Sequence, residues 1–271
     1  MSGVNKSLWL NKTALVTGAS SGIGAATARM FAGRGLHVIL VARRQDRLEQ
    51  QAAQIRSSGG SVAVIPADLS VADERQRVFS QVEAQSGQVD VLVNNAGLGW
   101  YGYGADMPWE IASEILQVNV AAAVHFSLLW LNKMRSVGSG HIINVGSISG
   151  SIPSQGIALY GATKSFLDNF STALYRELAG TRLHVSVVRA GPVFTEFCET
   201  AASLDGGLHL PTERIGVTAE TIASRIWGLL ERPRRVIYVP SWLAVTPYIE
   251  NTFGWLIDRL GPLLLRRHSP H

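Results

Sequence analysis

Seven short runs rich in β-branched and apolar residues recur along the chain: Thr13–Thr17 (TALVT), His37–Ala42 (HVILVA), Val62–Ala67 (VAVIPA), Val89–Asn94 (VDVLVN), His141–Val145 (HIINV), His184–Arg189 (HVSVVR) and Val236–Pro240 (VIYVP). They read as strands that are apolar on both faces. Such strands must be covered on both sides, as in a parallel sheet held between two layers of helix. The spacers suit that arrangement. Gln45–Ser57, Val71–Ser86, Trp109–Val137, Tyr160–Gly180 and Thr218–Glu231 carry helical patterns, and the spans between the first six strands have room for crossover helices. The expected architecture is an α/β, doubly wound fold with a seven-stranded parallel sheet. Its ligand crevice would lie at the carboxyl ends of the strands.

Composition agrees with one large buried core. Hydrophobic residues make up 46% of the 271 residues and charged residues 16%, so disorder is excluded and one domain spanning the chain is expected. The net charge of +4 is spread along the chain, with only the doublets Arg43-Arg44, Arg234-Arg235 and Arg266-Arg267. No basic stripe for nucleic acid is present. A lone cysteine, Cys198, cannot close an intrachain disulfide. Met1–Thr13 lacks the apolar core of a signal peptide, and no apolar stretch reads as a membrane span. A soluble, cytoplasmic protein is the expectation.

Directly after the first strand, Thr17-Gly18-Ala19-Ser20-Ser21-Gly22-Ile23-Gly24 opens a helix. Gly18 suits a tight turn, Gly22 allows close approach of a pyrophosphate, and Gly24 lets helix and strand pack closely. The helix amino terminus then offers free N–H groups to phosphates. This is the dinucleotide-binding arrangement of a Rossmann-type fold. The second strand ends in Arg43-Arg44, where NAD-binding folds commonly place an acid for the ribose hydroxyl. Guanidinium groups suit the 2′-phosphate of NADP(H). The competing reading is a solvated pair at the start of a helix.

The motifs that follow resemble the short-chain dehydrogenase/reductase family. TGASSGIG matches its glycine motif, Asp68-Leu69 its adenine contact after the third strand, and Asn94-Asn95-Ala96-Gly97 its NNAG motif. Asn119 lies in the long helix, Ser147 follows the fifth strand, and Tyr160-Gly161-Ala162-Thr163-Lys164 is the family's YxxxK. Gly191-Pro192-Val193-Phe194-Thr195 follows the sixth strand, with Ala190 where the family usually has proline. The resemblance implies a catalytic set of Asn119, Ser147, Tyr160 and Lys164. The cofactor would be held by Gly18, Ser20, Ser21, Gly22, Ile23, Gly24, Arg43, Arg44, Asp68, Leu69, Asn95, Ala96, Gly97, Tyr160, Lys164, Gly191, Val193 and Thr195. It implies a homodimer or homotetramer. No catalytic metal is expected, because His37, His141 and His184 fall at strand starts, His125 lies inside a helix, and none has metal-ligand spacing with Cys or acid.

The residue types fit that chemistry. Tyr160 and Lys164 are four apart on a helix and share a face. A neighbouring ammonium, with the positive nicotinamide of an oxidised cofactor, favours phenolate and brings a phenol into acid/base range. Lys164 would also bond the nicotinamide ribose, Ser147 would hold the substrate oxygen, and Asn119 would position a water relaying protons to Lys164. Thr195 reads equally as a nicotinamide contact or a helix N-cap, and Asn94 and Asn95 as sheet ties. The expected reaction is hydride exchange between NADP(H) and a small-molecule carbonyl/alcohol substrate. The same fold also hosts epimerases and dehydratases that retain the cofactor, and non-catalytic NADP-binding sensors.

The substrate end carries the weakest pattern. The expected wall is lipophilic or aromatic: Leu98, Trp100, Tyr101, Tyr103, Ile152, Pro153, and, in a loop-like lid over about 190–217, Phe194, Phe197, Leu204 and Leu208. A C-terminal extension over about 241–271 is apolar, with Trp242, Tyr248, Phe253 and Trp255, punctuated by Pro247, Gly254 and Pro262. It reads as a cover over the substrate site or a subunit interface, or as an interfacial membrane segment. The proline breaks favour the protein-facing reading.

Overall fold

The computed structural model describes residues 9–204 and 216–265. Its strands are β1 (Thr13–Thr17), β2 (His37–Ala42), β3 (Ser61–Pro66), β4 (Val91–Asn94), β5 (Gly140–Ser147), β6 (Leu183–Ala190) and β7 (Val236–Val239). All pair in parallel, in the order β3-β2-β1-β4-β5-β6-β7. The helices are α1 (Gly22–Ala32), α2 (Gln45–Ser57), α3 (Ala72–Ser86), α4 (Trp109–Leu116), α5 (Ala123–Val137), α6 (Ala158–Glu177), α7 (Glu196–Ser203), α8 (Ala219–Glu231) and α9 (Thr246–Leu265). The doubly wound, Rossmann-type sheet read from the sequence is therefore the fold observed.

Both sheet faces are dry, as the strand composition requires. In β1, Ala14 and Val16 face one core, with Phe31 of α1, Leu48 of α2 and Ile226 of α8. Leu15 faces the other, with Val78 of α3, Phe126 and Trp130 of α5, and Leu174 of α6. Each fully buried leucine or isoleucine contributes roughly 1.5–3 kcal/mol. The strand order reverses between β1 and β4. The loops after these two strands therefore diverge and leave a crevice at the carboxyl edge.

Three expectations from the sequence are corrected. The stretch 190–217 is not all loop, because Thr195 caps α7 by accepting from the Phe197 amide at 3.4 Å and Glu196 and Glu199 fill its first turn. The tail is not broken by its prolines. Pro247 falls in the first turn of α9, where a missing N–H costs nothing, and the helix runs on through Gly254 and Pro262. The proline breaks that favoured a protein-facing tail are thus absent. Arg266 and Arg267 lie outside the described residues.

The third correction concerns membrane spans. Trp109–Val137 is a 29-residue helix long and apolar enough to cross a membrane by length and composition. It instead lays Ile115, Phe126, Trp130 and Met134 into buried positions against the sheet. A π-helical turn at Gln117–Ala122 joins α4 to α5 within it, a feature common at functional sites.

Candidate active site

Hydrogen bonds between loop and strand ends build the crevice. The Asn95 side chain donates to the carbonyls of Thr17 at 3.0 Å and Gly18 at 3.2 Å. Thr17 Oγ1 accepts from the amides of Asn95 and Ala96, each at 3.0 Å, and donates to the Val93 carbonyl at 3.3 Å. Asn94 turns into the sheet and donates to Asn144 Oδ1 at 2.8 Å and Ser127 Oγ at 3.0 Å. The two asparagines therefore tie β4 to its neighbours, and Thr17 is a tie not singled out from the sequence.

Glycine is obligatory at two points of this cradle. Gly18 adopts φ +64°, and a Cβ there would lie 2.8 Å from the Ala96 Cα. A Cβ on Gly24 would lie 2.3 Å from the Gly18 carbonyl oxygen. Ser21 precedes α1 without capping it by side chain, and no acid occupies its first turn. The positive end of α1 thus opens onto the crevice. These residues fit a dinucleotide pyrophosphate.

A cavity of about 440 Å³ runs from this cradle along the carboxyl edge of the sheet. Of the sequence-derived cofactor set, Gly24 alone lies behind its wall; the other positions line it. Arg44 donates to Ser20 Oγ at 3.1 Å and Ser21 Oγ at 2.9 Å, and pairs with Glu196 at 3.1 Å. Arg43 pairs with Glu114 at 2.5 Å and stands 3.9 Å from Asp68. Burial would push the Asp68 carboxyl up, but the Ser70 hydroxyl and amide, with Arg43, bring it below its ordinary value.

At the other end, α6 projects Tyr160 and Lys164 toward the end of β5, where Ser147 stands. Burial pushes the Tyr160 phenol up to about 12, against a lowering hydrogen bond from Ser147. Burial likewise pulls Lys164 down to about 8, opposed by Asp168. Lys164 Nζ donates to the Val145 carbonyl at 2.9 Å and lies 5.7 Å from the Tyr160 ring centre. Asn119, in the π turn, clamps the loop after β4. Its Oδ1 accepts from the Leu98 amide at 2.7 Å, and its Nδ2 donates to the Leu98 carbonyl at 2.9 Å and Thr163 Oγ1 at 3.0 Å. A Cβ on Gly97 would touch both Asn119 Oδ1 and Lys164 Nζ, so these groups meet around Gly97. Thr163, whose hydroxyl donates a hydrogen bond to the Tyr160 backbone carbonyl at 2.7 Å, is a second tie the motif reading missed.

The substrate wall differs from its sequence reading. Leu98, Tyr101 and Phe197 line the cavity, joined by Ile148, Ile157 and Cys198. Trp100 is instead buried in the fold, while Tyr103 and Phe194 face solvent. Ile152, Pro153 and Leu204 stand off the wall, and Leu208 lies outside the described residues. No described residue of the tail lines the cavity. Apolar character alone could not separate wall from core, because both require it.

Comparison with known proteins follows the same lines. A family profile described as short chain dehydrogenase matches residues 12–204. A short chain dehydrogenase of Pseudocercospora fijiensis is 36% identical over 227 residues, covering 83% of this chain and 70% of that protein. A solved short-chain dehydrogenase from Sphingobium yanoikuyae in complex with NADPH superposes with a TM-score of 0.78 at 29% identity, covering 96% of this chain and 98% of that one. A short chain dehydrogenase/reductase from Burkholderia phymatum in complex with NAD has a TM-score of 0.83 at 21% identity, covering 92% and 95%, a likeness of fold.

Proposed function

The chain belongs to the short chain dehydrogenase family, and from that premise we propose that it is an NADP(H)-dependent oxidoreductase acting on a lipophilic or aromatic carbonyl/alcohol substrate. One observation carries the reading: Ser147, Tyr160 and Lys164 converge on one cavity that begins at an open helix amino terminus. Arg44 on the Ser20 and Ser21 hydroxyls, with Arg43 beside it, favours the 2′-phosphate. The NADPH-bound relative supports the same choice. Leu98, Tyr101, Ile157 and Phe197 supply an apolar wall, which favours an uncharged substrate.

The bound nicotinamide would supply or accept the hydride. Ser147 Oγ holds the substrate oxygen beside the Tyr160 hydroxyl, and Tyr160 gives that oxygen its proton in reduction or removes it in oxidation. A buried phenol pushed up to about 12 is a poor base, so the Lys164 cation and the positive ring of an oxidised cofactor must lower it. Lys164 would also hold the ribose of a bound cofactor. Asn119 keeps the loop after β4 against this group and has one Oδ1 lone pair left for a water.

The test is NADPH oxidation at neutral pH across aliphatic, aromatic and steroidal carbonyls, with Tyr160→Phe alongside. Turnover that falls by about 100-fold or more in the variant, at unchanged NADPH affinity, is expected. Undiminished turnover in Tyr160→Phe would remove the phenol from the chemistry.

A further inference from the structure

Beyond the Ser–Tyr–Lys set, α6 continues its inward face by one more turn. Tyr160, Lys164 and Asp168 follow at intervals of four and form one stripe. Asp168 is 5% exposed, an unusual position for a carboxylate. Its Oδ2 pairs with Arg189 Nε of β6 at 2.9 Å. That contact is an ion pair without good hydrogen-bond geometry, so neither carboxylate oxygen takes a hydrogen bond from the described residues, and Oδ1 lies against Gly146, where an added Cβ would approach it to 3.3 Å. Arg189 is anchored in turn, with its guanidinium over the Tyr238 ring of β7 at 5.1 Å and a hydrogen bond to the Tyr238 hydroxyl.

A buried carboxylate between two cations requires a reason. A structural ion pair needs Arg189 alone. Yet Asp168 also faces Lys164: the two lie one turn apart on α6, Lys164 Nζ sits on the Val145 carbonyl at 2.9 Å and Asp168 Oδ1 sits against the next residue of β5, Gly146, so each favours the charged form of the other. Among the described residues, the other groups near Lys164 and its phenol supply no negative charge: Tyr160 on its own helix, Asn119 on the π turn, the Val145 carbonyl and Ser147 on β5, with Cys198 of α7 beyond the phenol; Arg189 on β6 and Tyr238 on β7 face Asp168 instead.

We propose that Asp168 is a positioning residue, a buried counter-charge held by Arg189 and Tyr238 that keeps Lys164 cationic and placed for Tyr160 and the cofactor ribose. The inference rests on the reductase reading for its purpose, though not for the pairing itself. Without Asp168 the buried ammonium would lose its proton at lower pH, and a neutral amine lacks the charge that stabilises the phenolate and bonds the ribose less strongly. The pH range of function would therefore contract from its alkaline side.

The test separates placement of charge from support of the fold. Asp168→Asn alone strands the buried Lys164 and the partly buried Arg189 without a counter-charge and is expected to destabilise the protein strongly. Asp168→Asn/Arg189→Gln removes the ion pair as a unit and is expected to melt close to wild type. NADPH affinity measured between pH 6 and 9.5 should begin to weaken about one pH unit lower in the double variant than in wild type. Arg189→Gln, which leaves the carboxylate to Lys164, should show no such downward shift. A double variant that keeps the wild-type alkaline midpoint would make Asp168 a structural partner of Arg189 only. Carboxyl-carbon NMR of aspartate-labelled protein gives a readout that needs no turnover: the Asp168 midpoint should rise in Lys164→Met. An unmoved midpoint overturns the proposal even in an active enzyme. A raised midpoint in a protein that reduces no carbonyl upholds the pairing and refutes the reductase reading instead.

Discussion

The two halves of the cavity are built by different forces. On the cofactor half, the loops after β1 and β4 are held by directional bonds from Asn95 and Thr17, at 3.0–3.3 Å, and by glycines with no room for a methyl group. On the substrate half, the first residue of α7, Glu196, is paired to Arg44 and Arg47, but the face that meets the cavity rests on contacts between rings and apolar atoms. Phe197 lies 5.5 Å from the Tyr160 ring centre and within 2.8 Å of where a Gly99 Cβ would sit, and Tyr101 makes a 3.5 Å hydrogen bond to Cys198 Sγ. Directional bonds demand one residue type at one position. Packing demands only volume, which many residues provide.

The sharpest way to break this contrast is to add one carbon to the cofactor half. In Gly24→Ala the new Cβ would fall 2.3 Å from the Gly18 carbonyl and 2.5 Å from Asn95 Nδ2, and α1 must lift off the loop to make room. A cost of about 3 kcal/mol is expected, read as a roughly 100-fold or greater loss of NADPH affinity with a lowered Tm. Gly228→Ala on α8 is the control, since nothing lies within 4 Å of its added Cβ. It should stabilise by about 0.5–1 kcal/mol and leave NADPH binding unchanged. Equal behaviour of the two variants would show that the cradle is not sterically defined.

Charge on the cofactor half is expected to matter next. Arg44 already meets both serine hydroxyls of the glycine loop, whereas Arg43 is turned to Glu114. Arg44→Ala should therefore lower the NADPH-over-NADH affinity ratio by about 10- to 100-fold, the equivalent of one charge-assisted contact. Arg43→Ala should lower it less. If Arg44→Ala weakens both cofactors alike, the 2′-phosphate does not sit there.

The same contrast governs what could be read before folding. The strand runs, the glycine turn, NNAG and Tyr160–Lys164 were legible because each answers to a rule of geometry: period, positive φ, close approach, or a shared helix face. Asp168, Arg189 and Thr163 were not, although Asp168 continues the Tyr160–Lys164 stripe, because the pairing of Asp168 with Arg189 of β6 and of Thr163 with Asn119 of the π turn depends on tertiary register. The lid suggests loop, because its glycines and prolines outweigh one capping threonine, yet Thr195 is enough to start α7. Its apolar residues divided between wall, core and solvent in a way no period encodes: Phe197 lines the cavity, Trp100 is buried, and Phe194 is exposed. In the tail, prolines were read as breaks without regard to position, yet Pro247 at the start of α9 is where helices accept it best.

The smallest expected effect tests the boundary between the halves. Phe197 stands on α7 directly behind Thr195, whose methyl carbon lies 3.0 Å from where a Gly22 Cβ would sit, so the two halves touch at this turn. If the division by force is right, Phe197→Ala removes only packing against Tyr160 and Gly99. That is about 1–2 kcal/mol for a partly covered ring, read as a roughly 10-fold rise in KM for the best carbonyl. NADPH affinity should hold, because no hydrogen bond of the cradle involves the Phe197 ring. A variant that loses NADPH affinity while keeping its KM would place Phe197 over the cofactor, and would move the boundary from α7 to the wall formed by Leu98, Tyr101 and Ile157.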